Sequence, residues 1–362
     1  MKLGGPLPPG STIGILGGGQ LGRMLALAAA RLGLKCHIYA PKGDNPAFQV
    51  AAAHTEAAYD DEDALARFAA SVGGVTYEFE NVPEKTAALL APLVPLAPSA
   101  RVLATAQDRL AEKEFLSGLD LTVAPYAAVE DEASLEAALA RLGRPAILKT
   151  RRFGYDGKGQ VKITPAMTTG EAWAGIGKAP SVLEGFVAFE SEISVIAARG
   201  WDGQIAVYDI PENRHANHIL KMSTVPARLS PGTVAAAQDI AQRILAALDY
   251  VGVIGIELFV VGAEEKLIVN EIAPRVHNSG HWTMDACAVS QFEQHIRAVA
   301  GWPLGSPARH SDAVMTNLIG EEAAAWRDLA AEPGAAIHLY GKAGARPGRK
   351  MGHVNRLSPR QV

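Results

Sequence analysis

Apolar and polar positions along this 362-residue chain predict alternating strands and helices. Short apolar runs bounded by glycine predict strands, and longer runs with apolar residues three or four apart predict helices. The first succession is a strand over Thr12–Leu16, a glycine-rich turn, a helix ending near Leu32 and a second strand from Lys35 to Tyr39. We expect Gly33 to end this helix because glycine readily adopts the left-handed conformation that follows a last helical turn. The chain therefore begins with a β-loop-α-β unit.

The turn in this unit has the spacing G-x-G-x-x-G, at Gly17, Gly19 and Gly22. Glycines so spaced let backbone N–H groups approach an anion at the helix N-terminus. A dinucleotide would also need an acidic residue at the end of the second strand to hold a ribose. That strand ends before Pro41 and the first acid is Asp44, which disfavours NAD. The phosphate of another ligand, or tight packing of strand against helix, remains open.

A further strand runs from Gly74 out to a loop at Pro83, and it carries two acidic residues. Glu78 and Glu80 are two residues apart and so fall on one side of it. Ligands of open α/β sheets sit at the carboxyl ends of strands. These acids can contact a ligand there or lie at a solvated edge. The proline-rich run 91–98 then marks a domain boundary.

A mobile glycine-rich loop is predicted between two strands in the middle of the chain. The strand over 145–150 carries Lys149 near its end, and a strand over 161–163 follows. Residues 151–160 hold three glycines and three basic residues without apolar periodicity. Backbone N–H groups and lysines of such a loop can enclose phosphates. The loop is not a Walker P-loop, because the G-x-x-x-x-G-K-[ST] spacing is absent and a strand follows.

Two apolar runs around a short polar turn predict a hairpin, with strands over 255–261 and 267–275. Each strand carries one carboxylate, and a hairpin symmetric about Glu264 places Glu257 opposite Glu271 on one face. Carboxylates in apolar surroundings are costly unless they are paired or bound to metal. Mg²⁺ prefers oxygen ligands and often completes its shell with substrate phosphates. The pair is therefore a candidate Mg²⁺ site, and salt bridges to lysine or arginine are the alternative.

Charge and cysteine content exclude several classes of protein. The net charge is −4 without a block of lysine or arginine, so we expect no nucleic-acid or membrane partner. Cys36 and Cys287 are far apart in sequence, which fits a reducing cytosol and a cytoplasmic protein. No apolar run reaches transmembrane length. The alanine-rich stretch 21–34 contains Arg23 and Arg31, so it predicts a helix of the fold and not a signal peptide.

Further polar segments carry candidate binding chemistry. The strands around Glu184 and Glu192 can offer backbone groups to an adenine and a carboxylate to a ribose, or form an ordinary sheet with solvated glutamates. His215 and His218 lie in a polar segment between strands without a third ligand nearby, so zinc is disfavoured. The stretch 274–282, directly after the hairpin, combines arginine, histidine, asparagine and serine that can bind a small anion. Basic residues of the C-terminal tail are phosphate clamps or solvated side chains.

The order of these signals resembles that of the ATP-grasp superfamily, whose members hold ATP between two sheets and form acyl-phosphate intermediates. The order runs from Lys149 and the glycine-rich loop through Glu184 and Glu192 to Glu257 and Glu271. Within the superfamily, five segments resemble the N5-carboxyaminoimidazole ribonucleotide synthetase family. They are residues 17–24, 77–82, 154–160, 270–281 and 348–353. The resemblance extends from about Ile13 to His353.

The resemblance implies a mixed α/β and α+β protein with an ATP-grasp fold. A Rossmann-like pre-ATP-grasp domain would cover 1–108, the small lobe with the glycine-rich flap 109–190, the large lobe with the metal hairpin 191–300, and a small C-terminal subdomain 301–362. The implied enzyme is an ATP-dependent carbon–nitrogen ligase of purine biosynthesis. It would convert ATP, bicarbonate and 5-aminoimidazole ribonucleotide to N5-carboxyaminoimidazole ribonucleotide, ADP and phosphate through carboxyphosphate, with Mg²⁺, as a homodimer.

The alternatives to this enzyme are another carboxylate–amine ligase of the superfamily with a different acceptor, an NAD-dependent oxidoreductase and a non-catalytic nucleotide-binding regulator. The lack of an acid at the end of the second strand disfavours the oxidoreductase. Retention of Lys149, Glu257 and Glu271 disfavours the regulator, since a regulator could lose the metal pair without penalty.

The resemblance also implies roles for individual residues. ATP would contact Arg109, Lys149, Gly154, Tyr155, Asp156, Gly157, Lys158, Gly159, Gln160, Glu184, Gly185, Phe186, Val187, Glu192, His215, Asn270 and Glu271. The aminoimidazole ribonucleotide would contact Gln20, Leu21, Glu78, Tyr155, Asp156, Lys342 and Arg349. Bicarbonate would be surrounded by Arg275, His277, Asn278, Ser279 and Gly280. Lys149, Arg275, His277 and Asn278 would be catalytic, Glu257 and Glu271 would hold Mg²⁺, and His277 would act as a general base or only as a hydrogen-bond donor.

Overall fold

The structure is a computed structural model that describes residues 3–154 and 157–361. Its N-terminal part is a parallel sheet of strand order β3-β2-β1-β4 with helices around it. The elements are β1 (Thr12–Leu16), α1 (Gln20–Arg31), β2 (Lys35–Ala40), β3 (Ala53–Glu56), α2 (Glu62–Ala70), β4 (Gly74–Tyr77), α3 (Glu84–Leu90) and α4 (Ala100–Gln107). A 3₁₀ turn covers Pro46–Gln49. The predicted β-loop-α-β unit is confirmed, and Gly33 follows α1 with a φ of +71°.

The second sheet is antiparallel, with the order β5-β8-β6-β7. The elements of this part are α5 (Arg109–Gly118), β5 (Tyr126–Val129), α6 (Glu132–Leu142), β6 (Ala146–Thr150), β7 (Gln160–Ile163), α7 (Thr169–Gly175) and β8 (Ser181–Gly185). Its core includes Leu135, Leu148 and Trp173. The glycine-rich loop joins β6 to β7, as predicted. Two of its residues, Tyr155 and Asp156, lie outside the described residues.

The third sheet has nine strands in the order β14-β13-β9-β11-β12-β15-β17-β16, with β10 beside β9. Its elements are β9 (Ser191–Arg199), β10 (Ile205–Val207), β11 (Glu212–Ala216), β12 (Ile219–Val225), α8 (Pro231–Ala247), β13 (Gly252–Val261), β14 (Lys266–Ala273), α9 (Thr283–Ala286), α10 (Gln291–Val299), β15 (Ser311–Ile319), α11 (Trp326–Ala331), β16 (Ala335–Leu339) and β17 (Lys350–Pro359). Two 3₁₀ turns cover Asn278–Gly280 and Gly320–Ala325. The polar segment expected between strands near His215 is itself strand β11. The C-terminal strands continue this sheet, and the four domain ranges stay predictions.

The two faces of the large sheet are covered by different elements. Buried residues of α8, such as Ile244, and of α5, such as Leu116, pack on one side. On the other side α1 and α10 share a core with the sheet, in which Leu25 and Ile296 are buried. This shared core ties the N-terminal sheet to the large sheet and brings the glycine-rich turn towards the hairpin. Among residues 3–154 and 157–361, no helix combines the length and apolarity needed to cross a membrane.

Candidate active site

The hairpin of β13 and β14 places Glu257 opposite Glu271, as predicted. The two strands pair in regular register from the turn up to Leu258, and the register then shifts. One extra residue, Asn270, bulges out of β14 and so brings the two glutamates level with each other. The carbonyl of Asn270 accepts a hydrogen bond of 2.8 Å from the buried ammonium of Lys113. The bulge thus creates the carboxylate pair, and Lys113 satisfies the backbone group that the bulge frees from the ladder.

The two carboxylates differ in their electrostatic surroundings. Burial raises the pKa of Glu271, but Arg109, whose Nη1 lies 2.9 Å from Glu271 Oε2, outweighs it and lowers the pKa to about 2. Burial and the charge of Glu271 raise the pKa of Glu257 to about 7. His277 Nε2 is 3.3 Å from Glu257 Oε1. Glu271 thus forms the salt bridge that was the alternative to a metal ion. Glu257 is still repelled by the charge of Glu271, and a divalent cation between the two carboxylates would remove that repulsion. The pair fits Mg²⁺.

A cavity of about 830 Å³ lies between the small sheet and the large sheet. It is lined by most of the residues expected at ATP and by several expected at the other substrates. These are Gln20, Leu21, Arg109, Lys149, Gly154, Gly157, Lys158, Gln160, Glu184, Gly185, Phe186, Val187, Glu192, His215, Glu257, Asn270, Glu271, Arg275, His277 and Asn278. Gly159 is not among them and packs against Thr150. The size falls in the range of small-molecule sites, roughly 300–1,000 Å³.

One end of the cavity combines buried charges. Lys149 Nζ donates to Glu184 Oε2 at 2.9 Å, and Lys113 Nζ lies 3.6 Å from the same oxygen. Burial raises the pKa of Glu184, but the two lysines outweigh it and lower the pKa overall. The other oxygen, Oε1, is buried without a hydrogen-bond partner among the described residues.

Two aromatic side chains and the residue predicted to bind a ribose also line the cavity. Phe189 and Phe259 stack with ring centroids 4.5 Å apart and planes at 10°. Both rings line the cavity and offer a flat apolar wall that suits a planar base. Sequence reasoning missed this pair, because Phe189 lies in the link between β8 and β9 and Phe259 lies on β13, and nothing in the sequence shows that two rings so far apart in the chain will stack. The predicted ribose ligand Glu192 binds His215 Nδ1 at 2.8 Å.

The opposite end of the cavity carries the segment after the hairpin. Arg275 forms a two-point ion pair with Glu80, with Nη2 2.9 Å from Oε1 and Nε close to Oε2. One of the two acids after β4 therefore reaches the predicted anion site from the N-terminal sheet. Asn278 exchanges amide hydrogen bonds of 3.0 and 2.7 Å with Asn317. Both contacts hold polar side chains in one orientation at the cavity wall.

Ser279 and Gly280 lie beneath the cavity and do not line it. Ser279 is completely buried, and its hydroxyl is 2.8 Å from His277 Nδ1. A side chain at Gly280 would come within 2.7 Å of Gln291 Oε1. Gln291 Oε1 accepts from the backbone N–H of His277 at 2.9 Å, and Nε2 donates to its carbonyl at 2.7 Å. Ser279 and Gln291 thus support His277 from below.

The glycine-rich turn binds an anion, and in this structure the anion is the carboxylate of Glu78. Glu78 accepts hydrogen bonds from the backbone N–H groups of Gly22, at 2.5 Å, and of Gly19. A Cβ atom at Gly17 would collide with the same side chain. The N–H groups that a dinucleotide pyrophosphate would need are therefore occupied. Glu78 also borders a small pocket with Gln20, Leu21 and Phe79.

Lys342 and Arg349 form a cationic cluster outside the main cavity. Arg349 pairs with Asp44 and donates to the carbonyl of Gly344 at 2.8 Å. Lys342 Nζ donates to the carbonyl of Lys350 at 2.6 Å. Asp44, the acid too late in sequence to serve as a ribose ligand, instead fixes Arg349. Among the described residues, Lys342 and Arg349 are the predicted ribonucleotide ligands that come from the C-terminal segment.

The two-sheet architecture and the cavity between the sheets define an ATP-grasp protein. Three family models match the chain in this order. The model for the ribonucleotide synthetase preATP-grasp domain matches residues 11–107. The ATP-grasp domain model matches residues 114–292. The phosphoribosylaminoimidazole carboxylase C-terminal domain model matches residues 313–361.

Individual relatives show which family of ATP-grasp proteins the chain resembles. The chain is 54% identical over 358 residues to N5-carboxyaminoimidazole ribonucleotide synthase of Brucella melitensis, covering 98% of this chain and 99% of that one. A Staphylococcus aureus N5-carboxyaminoimidazole synthetase structure with ADP superposes with a TM-score of 0.93 at 37% identity, covering 98% and 95%. An Aspergillus clavatus N5-carboxyaminoimidazole synthase structure with ADP and 5-aminoimidazole ribonucleotide gives 0.89 at 30% identity, covering 97% and 94%. The chain belongs to the N5-carboxyaminoimidazole ribonucleotide synthase family, ATP-dependent ligases of purine biosynthesis, and the predicted fold and family are confirmed.

Proposed function

We propose that this chain carboxylates the exocyclic amine of 5-aminoimidazole ribonucleotide with bicarbonate, using ATP and passing through carboxyphosphate. The products are N5-carboxyaminoimidazole ribonucleotide, ADP and phosphate. The observation that carries the proposal is the position of Glu257 and Glu271. They lie in one cavity between the lysine-rich end at Lys149 and the anion-binding segment at Arg275 and His277. An aromatic amine is a weak nucleophile, so the carboxyl group needs the activation that ATP supplies.

Mg²⁺ would be held by Glu257 and Glu271, with Asn270 beside them. Bound there, Mg²⁺ would supply positive charge that offsets the negative charge of the ATP phosphates. The chain's own cations add to this charge. Arg109 lies against Glu271 and donates to the carbonyl of Gly154 at 3.3 Å, so it connects the hairpin with the glycine-rich loop.

The remaining residues would bind and orient the reactants. Lys149 would contact the ATP phosphates, and Arg275, fixed by Glu80, would bind bicarbonate and support the transferring phosphoryl group. The glycine-rich loop would close over the site and exclude water, which would otherwise destroy carboxyphosphate. Lys342 and Arg349 would hold the phosphate of the ribonucleotide.

An ADP-release assay with each substrate omitted in turn tests the reaction. We expect ADP only when ATP, bicarbonate and 5-aminoimidazole ribonucleotide are all present. ADP release with another amine or carboxylate and without bicarbonate would instead support a different ligase of the superfamily. A chain of this function is also expected to be a cytoplasmic homodimer, and light scattering should then give twice the chain mass of 38.1 kDa.

The metal pair is tested by Glu271→Gln, which keeps the shape of the side chain and removes its charge. ADP formation should fall by roughly a hundredfold or more, since a charge-stabilising group at the transferring phosphoryl is lost. Glu264→Gln makes the same change at the exposed turn of the same hairpin and should leave activity unchanged. Full activity of a folded Glu271→Gln enzyme would contradict the metal assignment.

A further inference from the structure

A series of buried side-chain hydrogen bonds runs from His277 into the large sheet. His277 Nδ1 is 2.8 Å from Ser279 Oγ, and Ser279 Oγ is 2.6 Å from Ser194 Oγ. Asn213 Nδ2 donates to Ser194 Oγ at 3.0 Å, and Ser223 Oγ donates to Asn213 Oδ1 at 2.7 Å. The three serines have no exposed surface, and Asn213 is 6% exposed. We call Ser223, Asn213, Ser194 and Ser279 the relay.

The sheet register builds the relay on the face that carries the carboxylate pair. Ser194 on β9 is directly opposite Glu257 on β13. Asn213 on β11 is directly opposite Ser223 on β12. Polar side chains in the interior of a sheet are costly unless they find hydrogen-bond partners. Each member of the relay is the hydrogen-bond partner of the next, so these hydrogen bonds fix the orientations of all four side chains.

The amide of Asn213 gives the relay a direction. Its carbonyl oxygen accepts from Ser223 and its N–H group donates to Ser194. A serine oxygen that has accepted this bond directs its own O–H towards the next oxygen, on Ser279. The O–H of Ser279 is then left to donate to His277 Nδ1, which lies 2.8 Å from the Ser279 oxygen. A neutral imidazole that accepts at one nitrogen carries its proton on the other, which is Nε2.

We infer that the relay fixes His277 as the Nε2–H tautomer, so that it donates a hydrogen bond to an anionic oxygen in the cavity and cannot take a proton at Nε2. Nε2 faces Glu257 Oε1 at 3.3 Å, on the cavity side. The relay residues are positioning residues, because none of them but Ser279 touches His277. That the anionic oxygen belongs to bicarbonate rests on the proposed function, whereas the tautomer does not.

The ring of His277 is also held in place from two other sides. Its Cβ lies against Gly255 on β13, where a Cβ atom would come within 2.6 Å. Both backbone groups of His277 bind the amide of Gln291. The ring therefore has little freedom to exchange its two nitrogens. If His277 only donates, the proton lost by the attacking amine must go to another acceptor, such as an oxygen of the phosphate product.

Nitrogen NMR of the ¹⁵N-histidine-labelled, ligand-free protein measures the tautomer directly, with the His277 signals assigned by their loss in His277→Gln. We expect an unprotonated Nδ1 and a protonated Nε2. A proton on Nδ1, or on both nitrogens, would overturn the inference. The NMR measurement does not depend on catalysis. A protein that shows the expected tautomer but releases ADP without bicarbonate would therefore contradict the proposed function and leave the inference about the relay intact.

Asn213→Asp tests the direction of the relay. A carboxylate accepts at both oxygens, so the hydroxyls of Ser194 and Ser279 should reverse and the proton of His277 should move to Nδ1. The same variant should lose roughly a hundredfold in kcat/KM for bicarbonate, the effect of losing one donor to a reacting oxygen. Lost activity with an unchanged tautomer would overturn the inference, because it would make the role of Asn213 merely structural.

Two further variants guard against a folding failure of Asn213→Asp. Ser279→Ala removes the donor to Nδ1 and should give a mixture of both tautomers, and a single Nε2–H form there would overturn the inference. Ser181→Ala removes an equally buried hydroxyl outside the relay, which donates to the carbonyl of Ala179 at 2.7 Å. It should keep the tautomer and the activity of the natural protein.

Discussion

Burial and the positive charges of Arg349 and Lys350 lower the pKa of Lys342 to about 8. Below that pH the ammonium is charged and can bind the ribonucleotide phosphate, and above it the charge is lost. We therefore expect kcat/KM for 5-aminoimidazole ribonucleotide to be constant below about pH 8 and to fall above it, because this parameter reports the free enzyme. A steady-state pH series in that substrate measures the effect.

The matched control is Lys342→Arg. A guanidinium stays charged throughout this pH range, so its profile should remain flat where that of the natural protein falls. The neighbouring Arg349 keeps its own partner, Asp44, in both proteins. If both proteins lose kcat/KM at the same pH, the titrating group is not Lys342.

At the scale of elements, the hairpin shows what periodicity predicts and what it leaves out. Two apolar strands and a polar turn were enough to predict that Glu257 faces Glu271. The predicted symmetry about Glu264 is half a residue away from the observed turn, in which Val261 pairs with Lys266. The bulge at Asn270 restores the pairing. A bulge stabilised by a lysine from a distant helix has no signature in the hairpin's own sequence.

Lys113 is the residue by which α5 stabilises this bulge, and Lys113→Met tests that contribution. The change leaves the carbonyl of Asn270 without its donor and removes one of the two lysines near Glu184. An unsatisfied buried acceptor costs roughly 1–3 kcal/mol, and we expect the free energy of unfolding to fall by that amount. Urea unfolding measures it. Lys35→Met, an exposed lysine on β2, should cost much less, and an equal loss in both would contradict the role of Lys113.

At the scale of the whole molecule, sequence reasoning succeeded within motifs and failed between them. The alternation of apolar residues tells which side of a strand is buried, but not which distant segment covers it. The pairs Glu80–Arg275 and Asp44–Arg349 join residues 195 and 305 positions apart. The sequence predicts neither pair, although Glu80, Arg275 and Arg349 are each candidate binding residues. The family resemblance supplied the order of the domains, and only the structure shows which charges meet across them.

Glu80 is the contact through which the N-terminal sheet reaches the anion-binding end of the cavity, and Glu80→Gln tests its importance. The amide can still accept a hydrogen bond, but it cannot neutralise Arg275. The Arg275 and Glu80 side chains are only 18% and 25% exposed, so we expect a loss of roughly 1–3 kcal/mol in stability, below the full effect of breaking a buried ion pair. The guanidinium is also freed to turn, so kcat/KM for bicarbonate should fall by about tenfold or more.

A surface ion pair of the same domain provides the comparison for this prediction. Glu62 lies 3.6 Å from Lys85, with both side chains about two-thirds exposed. Glu62→Gln should change stability by less than about 1 kcal/mol and leave bicarbonate kinetics unchanged, because exposed pairs are screened by water. Combining Glu80→Gln with Arg275→Lys isolates the pair. If the two changes act through their mutual contact, the double variant should lose clearly less than the sum of the single losses, whereas additive losses would show that Glu80 and Arg275 act independently.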